Sequence, residues 1–153
     1  MLKKIFIFII CLAPWFFASL FPVDYSFYDD LVLPFFAPNN IFYAIVWPII
    51  YVLIALNFSS LFYEFKFKDV PNSYKITLLI NYLFNQGYTF VFFGLKNLFL
   101  GFVFCLGTFI SGLFLYEETS QLKLSKLKLL WPYLVLSLFA TILSLTIYFL
   151  NTL

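Results

Sequence analysis

Five long apolar stretches, separated by short polar connections, dominate the chain. None of the five contains an Asp, Glu, Lys or Arg, and each is close to the roughly 20 residues that a helix needs to cross a bilayer. Barrel strands would be about ten residues long with alternating polar positions, and no such alternation occurs. The pattern predicts an all-α integral membrane protein, a five-transmembrane-helix bundle forming one domain over residues 1–153. The predicted spans are Ile5–Phe21, Ile41–Tyr63, Ile76–Phe93, Leu98–Tyr116 and Leu129–Leu150.

The amino-acid composition supports a chain solvated by lipid. Of the 153 residues, 64% are apolar and 10% are charged, against about 25% charged residues in a typical soluble domain. A soluble fold could not bury so much apolar surface, and intrinsic disorder is excluded for the same reason. The chain has no His, which excludes histidine-based catalysis and His metal sites. We expect no metal ion, no cofactor and, with a net charge of +2, no nucleic-acid partner.

The lysines predict the orientation of the bundle. Eight of the nine lie before the first span or in the connections after spans two and four, whereas Lys96 lies alone on the opposite side. Under the positive-inside rule the N-terminus is cytoplasmic and the C-terminus external. A cleaved signal peptide is the alternative for the first span, although no A-x-A-like site follows it. The eight residues are Lys3, Lys4, Lys66, Lys68, Lys75, Lys123, Lys126 and Lys128.

The first connection, Pro22–Asn40, differs from the other connections in being acidic and aromatic. It carries three aspartates and no lysine, and Pro34 and Pro38 prevent it from forming one long helix. Two interpretations stay open. The segment is either a lid packed over the outer end of the bundle or a loose connector with interfacial aromatic residues.

Neutral polar residues form a stripe along the predicted third span. Asn81, Asn85 and Thr89 recur every four residues, with Tyr88 beside them, so they share one face of a helix. An unpaired amide in hydrocarbon costs several kcal/mol, and the stripe must therefore face the protein interior or a cavity. It serves either interhelical hydrogen bonding, typically about 0.6 kcal/mol per bond, or ligand binding.

The second span carries a matching aromatic ladder. Tyr43, Trp47 and Tyr51 recur with the same spacing, and aromatic faces beside a few amides suit a flat, largely apolar ligand. Ordinary helix packing is the alternative.

The fourth span carries two pairs of small residues spaced four apart. Such pairs let helices approach closely, either within the bundle or between two subunits. The pairs are Gly107 with Ser111 and Thr108 with Gly112.

Four segments of the chain resemble motifs of the TspO/MBR family, the tryptophan-rich sensory proteins. The most specific is Asn85–Asn97, NQGYTFVFFGLKN, which resembles N-x-x-W-S-x-x-F-F-G-L-R-N in the third helix of the family. The others are Pro34–Pro38 in the first loop, Val46–Tyr51 in the second helix and Pro132–Leu143 in the fifth.

The resemblance implies a membrane receptor or carrier, in the cell membrane of a bacterium, that binds porphyrins such as protoporphyrin IX or similar flat hydrophobic ligands. It also implies a five-helix bundle, often a homodimer, with the ligand pocket beneath the first loop. Carried over by motif, the ligand-binding residues are Tyr28, Trp47, Tyr51, Asn85, Tyr88, Thr89 and Ala140.

Two other functions are considered, a light-dependent porphyrin-degrading enzyme and a small-molecule transporter. No catalytic residue is predicted, because the spans carry no carboxylate and Cys11 and Cys105 lie inside apolar runs, which leaves conventional acid–base or nucleophilic chemistry without candidates. Transporters normally place ionisable groups within their spans, and here there are none.

The chain departs from the family pattern at several positions. Phe36, Tyr88 and Leu136 stand where the family commonly has Trp, Phe104 replaces an acidic residue, and Ser144 replaces an Asn. Because pocket tryptophans are thought to support light-dependent degradation in the family, Leu136 predicts that this activity is weak or absent.

Overall fold

The computed structural model describes residues 2–123 and 126–153, and in those residues the chain is helical and contains no strand. Met1, Leu124 and Ser125 belong to the single predicted domain but lie outside the described residues. The α-helices of the described part are α1 (Leu2–Leu12), α2 (Tyr25–Asp29), α3 (Asn40–Glu64), α4 (Asn72–Thr89), α5 (Leu98–Gln121) and α6 (Trp131–Thr152).

Prolines and asparagines determine where several helices begin or change. Next to Pro14, α1 tightens into a 3-10 helix over Ala13–Leu20, since proline cannot donate a backbone hydrogen bond. Asn39 and Asn97 cap α3 and α5, and each side chain accepts a hydrogen bond from the backbone N–H three residues on, at 3.0 and 2.9 Å. Such caps stabilise a helix by satisfying backbone donors that have no partner within it.

Four helical segments of the described chain are long and apolar enough to cross a membrane. They overlap the predicted spans one, two, four and five. The third predicted span, Ile76–Phe93, begins inside α4 and ends in the π-helical segment Phe90–Gly94, and α4 is too polar to be among the four. Four predicted spans are therefore confirmed as helices of membrane-spanning length and hydropathy, and the third is confirmed as a helix. The four segments are Leu2–Leu20, Asn40–Glu64, Leu98–Gln121 and Leu127–Thr152.

The five long helices form a closed ring. α1 packs against α3, its 3-10 extension packs against α4, α4 packs against α5, and α5 against α6. The ring closes where the 3-10 turn Leu127–Leu130, just before α6, packs on α3. We call the end with the lysine-rich connections the inner end, and the end with the first loop the outer end.

Small residues of the fourth span are used within the chain. A Cβ at Gly107 would lie 2.6 Å from the ring of Phe84 on α4, and a Cβ at Gly112 would lie 3.1 Å from Leu134 on α6. The small-residue pairs therefore let α5 approach both neighbouring helices, which decides between the two interpretations in favour of packing inside the bundle.

The first loop packs on the outer end of the bundle. The Asn151 side chain of α6 bonds both the N–H and the C=O of Val32, at 2.9 and 3.0 Å. Asp24 pairs with Lys96 at 2.8 Å. The Tyr28 ring lies 6.4 and 6.2 Å from the rings of Phe92 and Phe93, in the π-helical segment Phe90–Gly94 that continues α4. The structure favours the lid over the loose connector.

Candidate functional site

The outer half of the bundle encloses a cavity of about 370 Å³, within the range of about 300–1,000 Å³ that is typical of ligand pockets. Its walls come from the 3-10 extension of α1, the first loop and all four of α3, α4, α5 and α6. Much of the lining is aromatic. The aromatic members are Trp15, Phe16, Tyr25, Tyr28, Tyr43, Trp47, Tyr51, Tyr88 and Phe93.

The structure brings every predicted ligand-binding residue to this cavity. The seven come from the first loop, two facing helices and α6, and no other element is needed to assemble them. They are Tyr28 in the loop, Trp47 and Tyr51 on α3, Asn85, Tyr88 and Thr89 at the end of α4, and Ala140 on α6. That these side chains bind a ligand stays a prediction.

One wall of the cavity is a row of aromatic rings in contact, each tilted against the next. The Tyr51 ring lies between two indoles, with centroid distances of 5.7 Å to Trp47 and 5.9 Å to Trp15. Trp15 is only 3% exposed, and sequence reasoning did not include it in the site. Tryptophan is common at the membrane interface, whereas Trp15 lies inside a predicted span. This unusual position is the feature that could have indicated Trp15 as a site residue.

An amide network crosses from α4 to its neighbours. Asn85 Oδ1 accepts hydrogen bonds from the Tyr51 hydroxyl at 3.3 Å and from Gln86 Nε2 at 2.7 Å. Gln86 Oε1 in turn accepts from the backbone N–H of Ala18 at 2.7 Å. Asn85 Nδ2 makes no well-formed hydrogen bond to a described residue, although it lies near the Tyr133 hydroxyl, and it is available to donate to a ligand. Gln86 was also missed, because its partner depends on how the first helical segment packs.

Asn81, one turn closer to the inner end, has a different environment. It is 0% exposed and does not line the cavity. Its Nδ2 donates to the Thr108 carbonyl at 2.9 Å and to Ser111 Oγ at 3.0 Å, while its Oδ1 accepts from the Tyr133 hydroxyl at 2.8 Å. The polar stripe of α4 thus divides into a fully bonded residue and a residue at the cavity.

Charged side chains are absent from the cavity lining and appear at its rim. Asp24 lies between the lining residues Val23 and Tyr25. The hydrogen bond from Lys96, helped by Ser26 and the backbone N–H of Phe27, holds the pKa of Asp24 well below its usual value. Asp24 therefore stays ionised at neutral pH. Within the described residues, no cluster of His, Cys, Asp and Glu could hold a metal ion.

Two departures from the family pattern lie away from the cavity. Leu136 does not line it and belongs instead to the apolar core cluster with Ile50 and Tyr133, so the expectation that Leu136 costs the pocket an indole has no geometric support. Phe104 packs edge-on against Phe84 at the contact between α4 and α5. Sequence position alone did not show that Phe104 on α5 and Leu136 on α6 lie on helix faces turned away from the cavity.

Comparison with known proteins gives consistent results. The model of the TspO/MBR family matches residues 6–150. Tryptophan-rich protein TspO of Bacillus cereus is 39% identical over 132 residues, which cover 86% of this chain and 85% of that protein. The uncharacterized membrane protein YtaB of Bacillus subtilis is 36% identical over 132 residues, covering 86% of this chain and 84% of its own.

Proposed function

Since this chain belongs to the TspO/MBR family, we propose that it is a membrane receptor or carrier for a porphyrin such as protoporphyrin IX, or for a similar flat hydrophobic molecule. The ligand binds in the cavity beneath the first loop. The observation that carries the proposal is the lining of this cavity, in which an aromatic wall and the amides of Asn40 and Asn85 stand among otherwise apolar or neutral groups. Such a site suits a flat ligand with few polar atoms.

The size of the cavity bears on how a macrocycle is held. A volume of about 370 Å³ is near the lower end of the usual range of about 300–1,000 Å³. Val23 and Tyr25 line the cavity and are also exposed, so the cavity opens beside the first loop. One edge of a porphyrin lies against Trp47 and Tyr51, and its periphery extends through this opening.

The receptor proposal is tested by titrating the purified protein with protoporphyrin IX in darkness and following tryptophan fluorescence. Trp15 and Trp47 line the cavity, so binding is expected to quench their emission with saturation at a stoichiometric amount of ligand. Linear, non-saturating quenching equal to that of free tryptophan in the same detergent would contradict the proposal.

Light-dependent degradation of the bound porphyrin is the second candidate function. The consecutive contacts of Trp47, Tyr51 and Trp15 favour it, because they place oxidisable rings beside the ligand site. The same titrated sample is illuminated, and loss of the porphyrin spectrum is compared with a sample of the Trp47→Phe variant. If the porphyrin spectrum disappears only under light, and more slowly in the Trp47→Phe variant, the result supports the enzyme. If it disappears at the same rate in the unmodified chain and in the variant, the result argues for a receptor alone. A coupled transporter is less favoured, since the cavity lining carries no charged side chain.

We further propose that α4 is a fifth membrane-crossing helix. Its amides Asn81, Asn85 and Gln86 are buried inside the bundle, whereas its outward residues, such as Ile76 and Leu83, are apolar and exposed. Low mean hydropathy therefore does not prevent this helix from lying in lipid, because its buried amides face the bundle interior rather than the lipid.

The proposed topology has a cytoplasmic N-terminus and an external C-terminus, in a bacterial cell membrane. In a background with Cys11 and Cys105 replaced by Ala, Asp29→Cys should react with an impermeant thiol reagent in intact cells, and Lys126→Cys should react only after lysis. The reverse pattern would contradict the orientation. A homodimer, also expected of the family, would show as twice the chain mass in light scattering after correction for detergent.

A further inference from the structure

Three hydroxyl groups to which the proposed function assigns no hydrogen bond line the outer half of the cavity. They belong to Tyr28 in the first loop, Tyr43 on α3 and Ser144 on α6. Each hydroxyl oxygen is buried and makes no well-formed hydrogen bond to a described residue, although the Tyr28 and Tyr43 hydroxyls lie near each other and the Ser144 hydroxyl lies near Tyr88 and Cys105. Buried hydroxyls are normally paired, so three such groups at one cavity indicate a place where a ligand supplies the missing partner.

Ser144 shows most clearly that the hydroxyls are directed toward the cavity. The other Ser and Thr side chains of α6 donate to carbonyls of their own helix, as Ser137 does to Leu134 at 3.0 Å and Thr141 does to Ser137 at 2.7 Å. Ser144 makes no such bond, although it is only 3% exposed. A serine in a helix in lipid usually satisfies itself in this way, and the exception faces the cavity.

The charges around the cavity restrict what the hydroxyls can bind. None of the 24 lining residues is an Asp, Glu, Lys, Arg or His. Lys96, at the rim, is about half exposed and already pairs with Asp24. A ligand carboxylate placed among the hydroxyls would therefore have no counter-charge, and burying an unpaired charge is strongly unfavourable. A neutral acceptor carries no such penalty.

We propose that Tyr28, Tyr43 and Ser144 form a second polar subsite that binds an uncharged carbonyl or ester oxygen of the ligand. The inference rests on the proposed function only in that the cavity must bind a flat hydrophobic molecule, and it adds a chemical class for that molecule. Protoporphyrin IX carries its oxygen atoms as carboxylates, so a bound porphyrin would leave this subsite unfilled. Tyr43 lies eight residues from Tyr51 on α3, or about 12 Å along the helix. The ligand is therefore a flat polycyclic molecule with a neutral acceptor at the end away from Asn85.

The test uses three flat tricyclic probes: anthraquinone, anthraquinone-2-carboxylate and anthracene. The first presents two neutral carbonyls, the second presents the same carbonyls and a charge, and the third presents no acceptor. Each is titrated into the full chain in detergent, with tryptophan fluorescence as the readout. The variants are Tyr43→Phe and Ser144→Ala. Ser137→Ala is the matched control, because Ser137 also lines the cavity but bonds its own helix.

Anthraquinone is expected to bind the unmodified chain about 10-fold or more tighter than its carboxylate. Tyr43→Phe and Ser144→Ala should each weaken anthraquinone binding by about 2- to 12-fold, the range for one neutral hydrogen bond. Neither variant should change anthracene binding, and Ser137→Ala should change none of the three. Thermal unfolding of each variant confirms that the chain is folded.

Equal affinity for anthraquinone and its carboxylate, or equal losses for anthraquinone and anthracene in the variants, would overturn the subsite. Protoporphyrin IX is titrated in parallel to separate the two proposals. If the porphyrin fails to bind while the anthraquinone pattern holds, the porphyrin function alone is wrong. If the porphyrin binds without that pattern, the subsite alone is wrong, and if no probe binds, both are.

Discussion

Two asparagines on the same face of α4 show how differently the two halves of the bundle use one kind of side chain. Asn81, in the inner half, is fully buried and makes three hydrogen bonds to α5 and α6. Asn85, one turn toward the outer end, uses only its oxygen within the protein and lines the cavity. The inner amide completes a closed interior, and the outer amide keeps a donor available.

The difference arises from the packing around each amide rather than from the amide itself. Around Asn81 the small residue Gly112 lets α5 and α6 come close, and a Cβ there would lie 3.6 Å from Asn81 Nδ2. Around Asn85 the neighbours are aromatic rings that stand apart and leave the cavity between them. A polar stripe in a membrane helix thus combines structural and functional residues, which only their partners distinguish.

The largest expected effect comes from filling the cavity. Ala140→Phe places a phenyl ring in the space where the ligand is proposed to bind, and we expect porphyrin affinity to fall by about 100-fold, or about 2.7 kcal/mol. Ile142→Phe is the matched control, since Ile142 is exposed on the same helix and should bind normally. Equal affinities in fluorescence titrations of the two variants would contradict a ligand site in this cavity.

The inner half should respond in stability rather than in binding. Asn81→Leu leaves the Tyr133 hydroxyl without its acceptor in an apolar core, and we expect a loss of about 1–3 kcal/mol in unfolding free energy. Tyr133→Phe removes only the donor of the same bond and should cost less. Thermal unfolding in detergent measures both changes, and an unshifted melting temperature for Asn81→Leu would show that the inner network is not structural.

The sequence was sufficient to predict the long helices, but not the short helix α2 in the first loop, and it predicted only part of the site. The span predicted at Ile41–Tyr63 is observed as Asn40–Glu64, because long apolar runs in lipid have no alternative to the helix and polar caps mark their ends. The roles of Asn81 and Asn85 could not be separated, since both have the same helical spacing. The contacts of Trp15 and Gln86 depend on how the 3-10 extension of α1 meets α4, which no local pattern encodes.

The loop should be less sensitive than either half of the bundle. Asn151→Leu removes both hydrogen bonds to Val32, and hydrogen exchange of residues 22–39 should increase severalfold, since each bond contributes about 0.5–1.5 kcal/mol. Lys96→Gln should have a smaller effect, because its pair with Asp24 is exposed to solvent. A larger effect of Lys96→Gln than of Asn151→Leu would show that the ion pair, rather than α6, holds the loop.

The pH dependence of the loop should be smallest of all. The pKa of Asp24 is lowered in the folded protein, chiefly by Lys96, so its contribution is present above the unfolded value of about 3.9 and declines only as the pH falls below it. Exchange of residues 22–39, corrected for intrinsic rates, should therefore be constant between about pH 8 and pH 5. A change within that interval would show that another group controls the loop.

The comparison of the two asparagines is tested most directly by titrating protoporphyrin IX, in darkness, into Asn85→Leu and Asn81→Leu and following tryptophan fluorescence. Loss of the Asn85 donor should weaken binding by about 5- to 150-fold, corresponding to about 1–3 kcal/mol. The folded fraction of Asn81→Leu should bind with nearly unchanged affinity. If Asn85→Leu binds normally and only melts early, the whole stripe is structural and the central claim is wrong.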